Sequence, residues 1–504
     1  MTALRRSAVF GLALLLWMGV YAQQPSQDAL AAKAQQGKEL MEAGNFAAAI
    51  PIYQDLVKAV PGNPGLVLNL ALAQHMAGRE REAVPNFEAV LKAQPNSLPA
   101  LLSLGAARLA LNEPVPAIAP LQKAITLEPD NTDARGMLAT ALMDAKRVSD
   151  AAAQYRILTD KTPDDPRAWY GLGTSYQALS TDAFEQMQKA DVKSAWVLAL
   201  VADSRIQRRQ YRSAFFFYSE ALKQLPKLHG VHSAMAEIYR KSGHPEWASA
   251  EDAKERALAP ADCAAHPLEC RFVGGKDLDI LSAKLAAKPD LESLYWRTKA
   301  ANELAMQAFF RLGQLPESVE LHQLRADIAR DSGRPMEAVA EWRAALKLMP
   351  GNPRARQELA AALFMANDYR AALDEASDLL KSMPGNAELN FVAGDSLLRV
   401  EEPDKAEPYL RAALKADPKM AAAGASLGLA LSRLGRFSDA VPLLEKSLEL
   451  DDDGSLHYQL ARAYQAAGNA EKARTAMAKY QELVERNQKA KEEVAREAQI
   501  GPPK

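Results

Sequence analysis

The sequence predicts an all-α solenoid of stacked helical hairpins, about twelve units long with some units shortened. Three observations carry this. Prolines recur at a 34-residue interval: Pro61, Pro95, Pro129 and Pro163, then Pro316, Pro350, Pro384 and Pro418, with Pro226 and Pro260 keeping the same spacing. A fixed period of this size denotes stacked identical units rather than one globular core. Within a period, apolar residues fall on helical spacing in two stretches split by a turn, as in Leu101, Leu104 and Gly105, then Ala117, Leu121 and Ala124, around Asn112-Glu113-Pro114. Small and large residues also alternate by position. Gly105, Gly428, Ala83, Ala338 and Ala440 let helices approach, while Tyr53, Phe87, Tyr155, Tyr218 and Trp342 fill the gap to the next unit.

Taken in order, residues 1–22 read as a signal peptide. Arg5-Arg6 precede an apolar run from Ala8 to Val20, and Val20-Tyr21-Ala22 is a small-x-small exit. The run is shorter than the ~20 residues that span a bilayer. The expectation is therefore export to the periplasm or beyond; the alternative is an inner-membrane anchor formed by an uncleaved N-terminal helix. After a linker at 23–29 come N-terminal units at 30–194 (the last one shortened) and middle units at 195–260. Irregular shortened units with both cysteines follow at 261–318, then C-terminal units at 319–486 and a cap helix and tail at 487–504. In the regular units Gly44, Gly78, Gly333, Gly435 and Gly468 supply the left-handed residue that ends the first helix. The terminal proline stops the second helix, and a nearby Asn or Asp caps the next one.

The beat breaks twice, with 63 residues from Pro163 to Pro226 and 61 from Pro289 to Pro350. The two breaks resemble each other. Trp169-Tyr170, Gln177-Ala178-Leu179 and Ala183-Phe184 align with Leu294-Tyr295, Asn302-Glu303-Leu304 and Ala308-Phe309 at an offset of 125. Ala202-Asp203 aligns with Ala326-Asp327, and Tyr218 with Trp342. This reads as a duplicated block: a shortened unit of long helices without a turn glycine, then a regular unit. Such a unit is expected to bend the superhelix or open a gap in it.

Period, small positions, aromatic position and terminal proline recurring in phase from about residue 30 to 486 resemble the tetratricopeptide repeat family. The resemblance implies a right-handed superhelix whose concave face is lined by the first helix of each hairpin. The polar stretch Glu471–Ala498 fits the solubilising cap that such stacks require.

Composition adds exclusions. A net charge of −2 favours neither nucleic acid nor an anionic membrane. Gly424-Ala425-Ser426-Leu427-Gly428 matches a nucleophile elbow, but it falls inside a repeat helix rather than at a strand-to-helix turn. His229 and His232 could share a metal, with no third ligand nearby in the sequence. Asp451-Asp452-Asp453-Gly454 lacks calcium-loop alternation and reads as a helix cap. Cys263 and Cys270, flanking six residues, read as a local disulfide in an exported protein, against free thiols or a metal site that includes His266. Arg205, Arg208, Arg209 and Arg212 before Phe215-Phe216-Phe217-Tyr218 read as a solvated helix end followed by a packed helix, against an acidic-partner site. The expected protein-binding face runs through Leu68, Leu72, Met76, Leu102, Leu109, Met143, Tyr170 and Trp196, with His75 and Phe364 beside it. It turns charged at Glu237, Arg240, Lys241, Asp327, Arg330 and Asp331. The other reading of these positions, filling of a tightly wound stack, stays open. No cofactor is expected. The function expected is a non-catalytic scaffold that binds proteins or peptides in the cell envelope. The alternatives are a dedicated accessory subunit of an export or outer-membrane/exopolysaccharide assembly machine, and an enzyme or metal carrier with its site in 261–318.

Overall fold

The computed structural model describes residues 26–282, 289–497 and 499–503. The expected signal peptide lies outside the described residues. The chain divides into two compact units after Arg147. Every regular element among the described residues is helical.

The first unit holds α1 (Gln27–Glu42), α2 (Phe46–Ala59), α3 (Pro64–Met76), α4 (Glu80–Ala93), α5 (Leu98–Ala110), α6 (Pro114–Leu127) and α7 (Thr132–Asp144). Consecutive helices pack on one another through cores such as Ile50, Tyr53, Leu56 and Leu70, then Val84, Phe87, Val90 and Leu104. Helices start where the side chains of Asn63 and Asn131 accept backbone N–H bonds. The turns within hairpins fall on Gly44 and Gly78, both at positive φ, and on Asn112 (φ 58°) at the same position of the next unit.

The second unit opens with α8 (Val148–Lys161), α9 (Pro166–Asp191), α10 (Ala195–Gln207), α11 (Tyr211–Gln224), α12 (Val231–Lys241), α13 (Pro245–Ala257), α14 (Pro267–Val273), α15 (Asp277–Ser282) and α16 (Leu291–Gly313). It continues with α17 (Val319–Asp331), α18 (Pro335–Leu348), α19 (Pro353–Met365), α20 (Tyr369–Leu380), α21 (Ala387–Arg399), α22 (Pro403–Ala416), α23 (Ala421–Arg433) and α24 (Phe437–Lys446). A short 3-10 turn, Leu448–Leu450, leads to α25 (Ser455–Ala466) and the 28-residue α26 (Ala470–Glu497). Positive φ recurs at Gly333, Asn367, Glu401 and Gly435, 34 residues apart.

The two broken beats correct the expectation of shortened hairpins. At Ser180, where the beat would place a left-handed residue, the chain stays helical, and α9 runs for 26 residues. The second break is likewise one helix, the 23-residue α16. The two long helices pack on each other more extensively than any other pair among the described residues. Leu172 and Tyr176 meet Ala305 and Ala308 at the centre. Trp169 and Tyr170 at the start of α9 share a core with Leu312 at the end of α16, while Met187 near the end of α9 shares one with Leu294 and Tyr295 at the start of α16. The pair is therefore antiparallel and forms a single hairpin, into which α10–α15 are inserted. Each helix has an apolar face too long for a neighbour of ordinary repeat length, and its duplicate supplies the matching length.

The packing around this hairpin is itself duplicated. Met187, Val197 and Leu200 sit with Leu294 and Tyr295, and Leu312, Leu321 and Leu324 sit with Trp169 and Tyr170. Each pair of equivalents is 124 or 125 residues apart, so the arrangement repeats with the two helices exchanged.

Candidate functional site

The inserted helices carry a groove that is already occupied. Buried Ala236, Tyr239 and Ala248 on α12 and α13 form its floor, with Phe215 of α11 and Trp247 against them. The rings of Phe215 and Trp247 each lie 5.6 Å from that of Tyr239, and His244 stacks on Trp247 at 4.0 Å. Ile500, beyond the end of α26, packs into this aromatic cluster. The Tyr239 hydroxyl donates to the Gly501 carbonyl at 2.8 Å. Burial, with Glu251 adding to it, pushes the Tyr239 phenol up to about 12, so the hydroxyl keeps its proton at neutral pH.

Open space flanks the tail on both sides. A cavity of about 650 Å³ runs beside Gly501, Pro502 and Pro503, bounded by Phe216, Met235 and Lys254. A wider one of about 1230 Å³ lies beside Gln499 and Ile500, lined by Arg209, Arg212, His244 and Lys491. The groove is thus apolar at its floor and basic at one end, and it holds a segment without regular secondary structure that contains Pro502-Pro503.

Outside this groove, sequence models described as tetratricopeptide repeat match residues 40–107, 108–173, 329–393, 391–455 and 456–486, more than half of the chain. The chain belongs to the tetratricopeptide repeat family. Anaphase-promoting complex subunit 7 from Mus musculus and from Homo sapiens is 28% identical over 141 residues, which is 28% of this chain. The chain spans 25% of the length of those relatives. Among solved structures, MamA from Desulfovibrio magneticus RS-1 is 23% identical, covers 34% of this chain and 96% of its own, and has a TM-score of 0.30. TTC0263, a tetratricopeptide-repeat protein from Thermus thermophilus, is 20% identical, covers 36% of this chain and 98% of its own, and has a TM-score of 0.29. As a tetratricopeptide-repeat chain, this protein is a protein-interaction scaffold. No helix among the described residues is long and apolar enough to cross a membrane.

Of the residues of the face expected from sequence in this tetratricopeptide-repeat chain, six lie in the first unit and two in the second. Leu68 and Leu72 are half-buried against the core of α3–α5, and Leu102 packs with Leu101 and Ala124. Leu109 and Met143 are also half-buried, and only Met76, at 54%, is exposed. Tyr170 is engaged internally: its hydroxyl donates to Asp327 at 3.0 Å and accepts from Gln323 at 2.6 Å. Trp196 lies on Tyr295 with ring centroids 5.0 Å apart, and Phe364 lies against Tyr369 and Phe391. His75 pairs with Glu80 at 2.6 Å. Of the charged stretch, Glu237 and Lys241 pair with each other, Arg240 bonds Asp252, and Arg330 bridges Asp327 and Asp331. Burial raises the Asp327 carboxyl; it also raises Glu358 on α19, where Asp327 adds to the effect.

The other motifs resolve simply. Ser426 lies within α23 and donates to Asp395 at 2.6 Å. Asp451 accepts backbone N–H bonds from Leu456 and His457, as a cap does. Cys263 and Cys270 are bonded, their Cα atoms 5.6 Å apart. Of the aromatic run, Phe215 and Phe216 border the groove while Phe217 packs into the core of the insertion. Sequence reasoning misses Tyr239, Trp247 and the tail. The run at 215–218 is their one local signal, and nothing in it names an occupant about 280 residues away.

Proposed function

We propose that this protein is a non-catalytic scaffold of the cell envelope, and that the groove of α11–α13 takes extended, proline-containing segments of partner proteins around an aliphatic anchor. The observation that supports this reading is the chain's own tail lying there. Its hold is modest. Half-burying Ile500 is worth on the order of 1 kcal/mol, and the Tyr239 hydrogen bond about 1 kcal/mol more. A tethered segment needs no more, since its effective concentration is of the order of mM. A partner of ordinary affinity displaces it. The reading of export rests on residues 1–22 and on a disulfide, a bond that persists in oxidising compartments.

The test uses a chain ending at residue 498 and a fluorescent peptide of sequence 499–504. The expected result is saturable binding to the shortened chain, at least about 10-fold weaker binding to the full chain, and loss with Tyr239→Ala. If the shortened chain does not bind the peptide, or Tyr239→Ala binds equally well, the reading fails.

A further inference from the structure

Three metal-ligating side chains converge beside the disulfide. His266 is the N-cap residue of α14, and its Nδ1 lies 2.7 Å from Glu292 Oε1 in the first turn of α16. Glu269, in the first turn of α14, brings its carboxylate to the same place. One donor atom from each of the three lies within 4.8 Å of the other two. Two carboxylates are thus held close together, one of them on a residue only 7% exposed.

The donors are themselves supported. The Glu269 carboxylate is held by Nδ1 of His229, whose Nε2 donates to the Ala259 carbonyl at 3.0 Å. A carboxylate oriented by an outer imidazole, itself anchored on a backbone carbonyl, is the kind of support that metal ligands receive. Cys263 and Cys270 bracket His266 and Glu269, so the disulfide limits how far the loop bearing two of the donors can move. The pairing of His229 with His232 open from sequence is not formed: His232 turns to Glu251 at 2.5 Å.

We propose that His266, Glu269 and Glu292 form a zinc site. Imidazole with carboxylate at roughly 2.0–2.2 Å suits Zn²⁺. The imidazole and the small number of donors disfavour Ca²⁺ and Mg²⁺, which take six or more oxygen ligands. Donors around a tetrahedral zinc lie about 3.3 Å apart, so the three atoms need only small rotamer adjustments. Three protein ligands leave a fourth position for water or for a side chain offered by a partner. The ion would tie α14 to the start of α16, joining the far end of the insertion to the long hairpin.

The test is calorimetric titration of the tag-free, chelator-stripped chain with ZnCl₂, with CoCl₂ absorbance as the coordination readout. The expected result is one saturable site per chain in the micromolar range or tighter, a tetrahedral cobalt spectrum, and no heat with MgCl₂ or CaCl₂. His266→Ala and Glu292→Gln should each weaken zinc binding at least about 100-fold, and His232→Ala should leave it unchanged. Replacing both cysteines by Ser should weaken it about 10-fold. Should His266→Ala fail to fold by circular dichroism, the isosteric Glu292→Gln decides. Absence of saturable binding, or wild-type affinity in Glu292→Gln, overturns the proposal.

Discussion

The segments α9–α11 and α16–α18 are copies that pack alike and serve different ends. Each begins with a long helix, continues with a regular hairpin, and presents an aspartate at the same position. In one copy Asp327 accepts from Tyr170 of the opposite long helix. In the other, Asp203 accepts from Tyr218 and receives Lys299 of the opposite long helix at 3.0 Å. After α18 the regular repeat resumes. After α11 only a short branch, α12–α15, follows, bearing the disulfide and the tail groove. A duplicated block thus supplies a junction: one exit continues the stack, and the other forms an insertion with its own binding surface.

The sharpest difference within the junction is Gly173 against its equivalent Thr298. A Cβ at Gly173 would run into the Phe309 ring, so only glycine admits that ring. At Thr298 the equivalent ring, Phe184, borders a cavity of about 450 Å³ with Thr298 and Asn302 instead. The exchange Gly173→Thr should therefore cost about 1–3 kcal/mol through overpacking. Thr298→Gly, with no ring to admit, should cost about 1 kcal/mol. Equal losses in denaturant titrations of the two variants would remove the asymmetry.

A smaller effect is expected at the cross-junction charge pair. Lys299 and Asp203 are each partly exposed, so a double-mutant cycle using Lys299→Met and Asp203→Asn should return a coupling of about 0.2–1 kcal/mol. A cycle between Lys299→Met and Asp327→Asn should return none.

The smallest effect concerns pH. Burial raises the Glu358 carboxyl, with Asp327 contributing. A carboxyl raised in the folded state favours folding while protonated, and that contribution is lost as pH rises through the raised value. Glu358→Gln should therefore raise thermal stability at pH 7 relative to wild type and leave it nearly unchanged at pH 4. A gain at pH 4 equal to that at pH 7 would contradict this.

Much of the fold is legible in the sequence because its determinants are local. Proline stops, left-handed turn residues and asparagine caps each act within a few residues, and they recur. The duplication is legible too, since Trp169-Tyr170 and Leu294-Tyr295 align by inspection. What cannot be read is that the copies pair. A missing turn at Ser180 signals a longer helix, but the partner for its extra length lies more than a hundred residues on, beyond any periodic signal. The internal partners of two residues of the expected binding face are hidden for a related reason. Helical phase places Tyr170 and Trp196 on one side of their helices, yet Asp327 and Tyr295, which engage them, are brought there only by the long-range hairpin.

The antiparallel pairing of α9 with α16 is tested most directly by a cross-link. Gly173→Cys and Phe309→Cys, in a chain with Cys263 and Cys270 replaced by Ser, place thiols on α9 and α16 where ring and backbone now touch. A short thiol-bridging reagent should join the two peptides within one chain in high yield under native conditions and not in denaturant. If the native chain yields no 173–309 peptide pair, the two long helices belong to separate units and the junction does not exist.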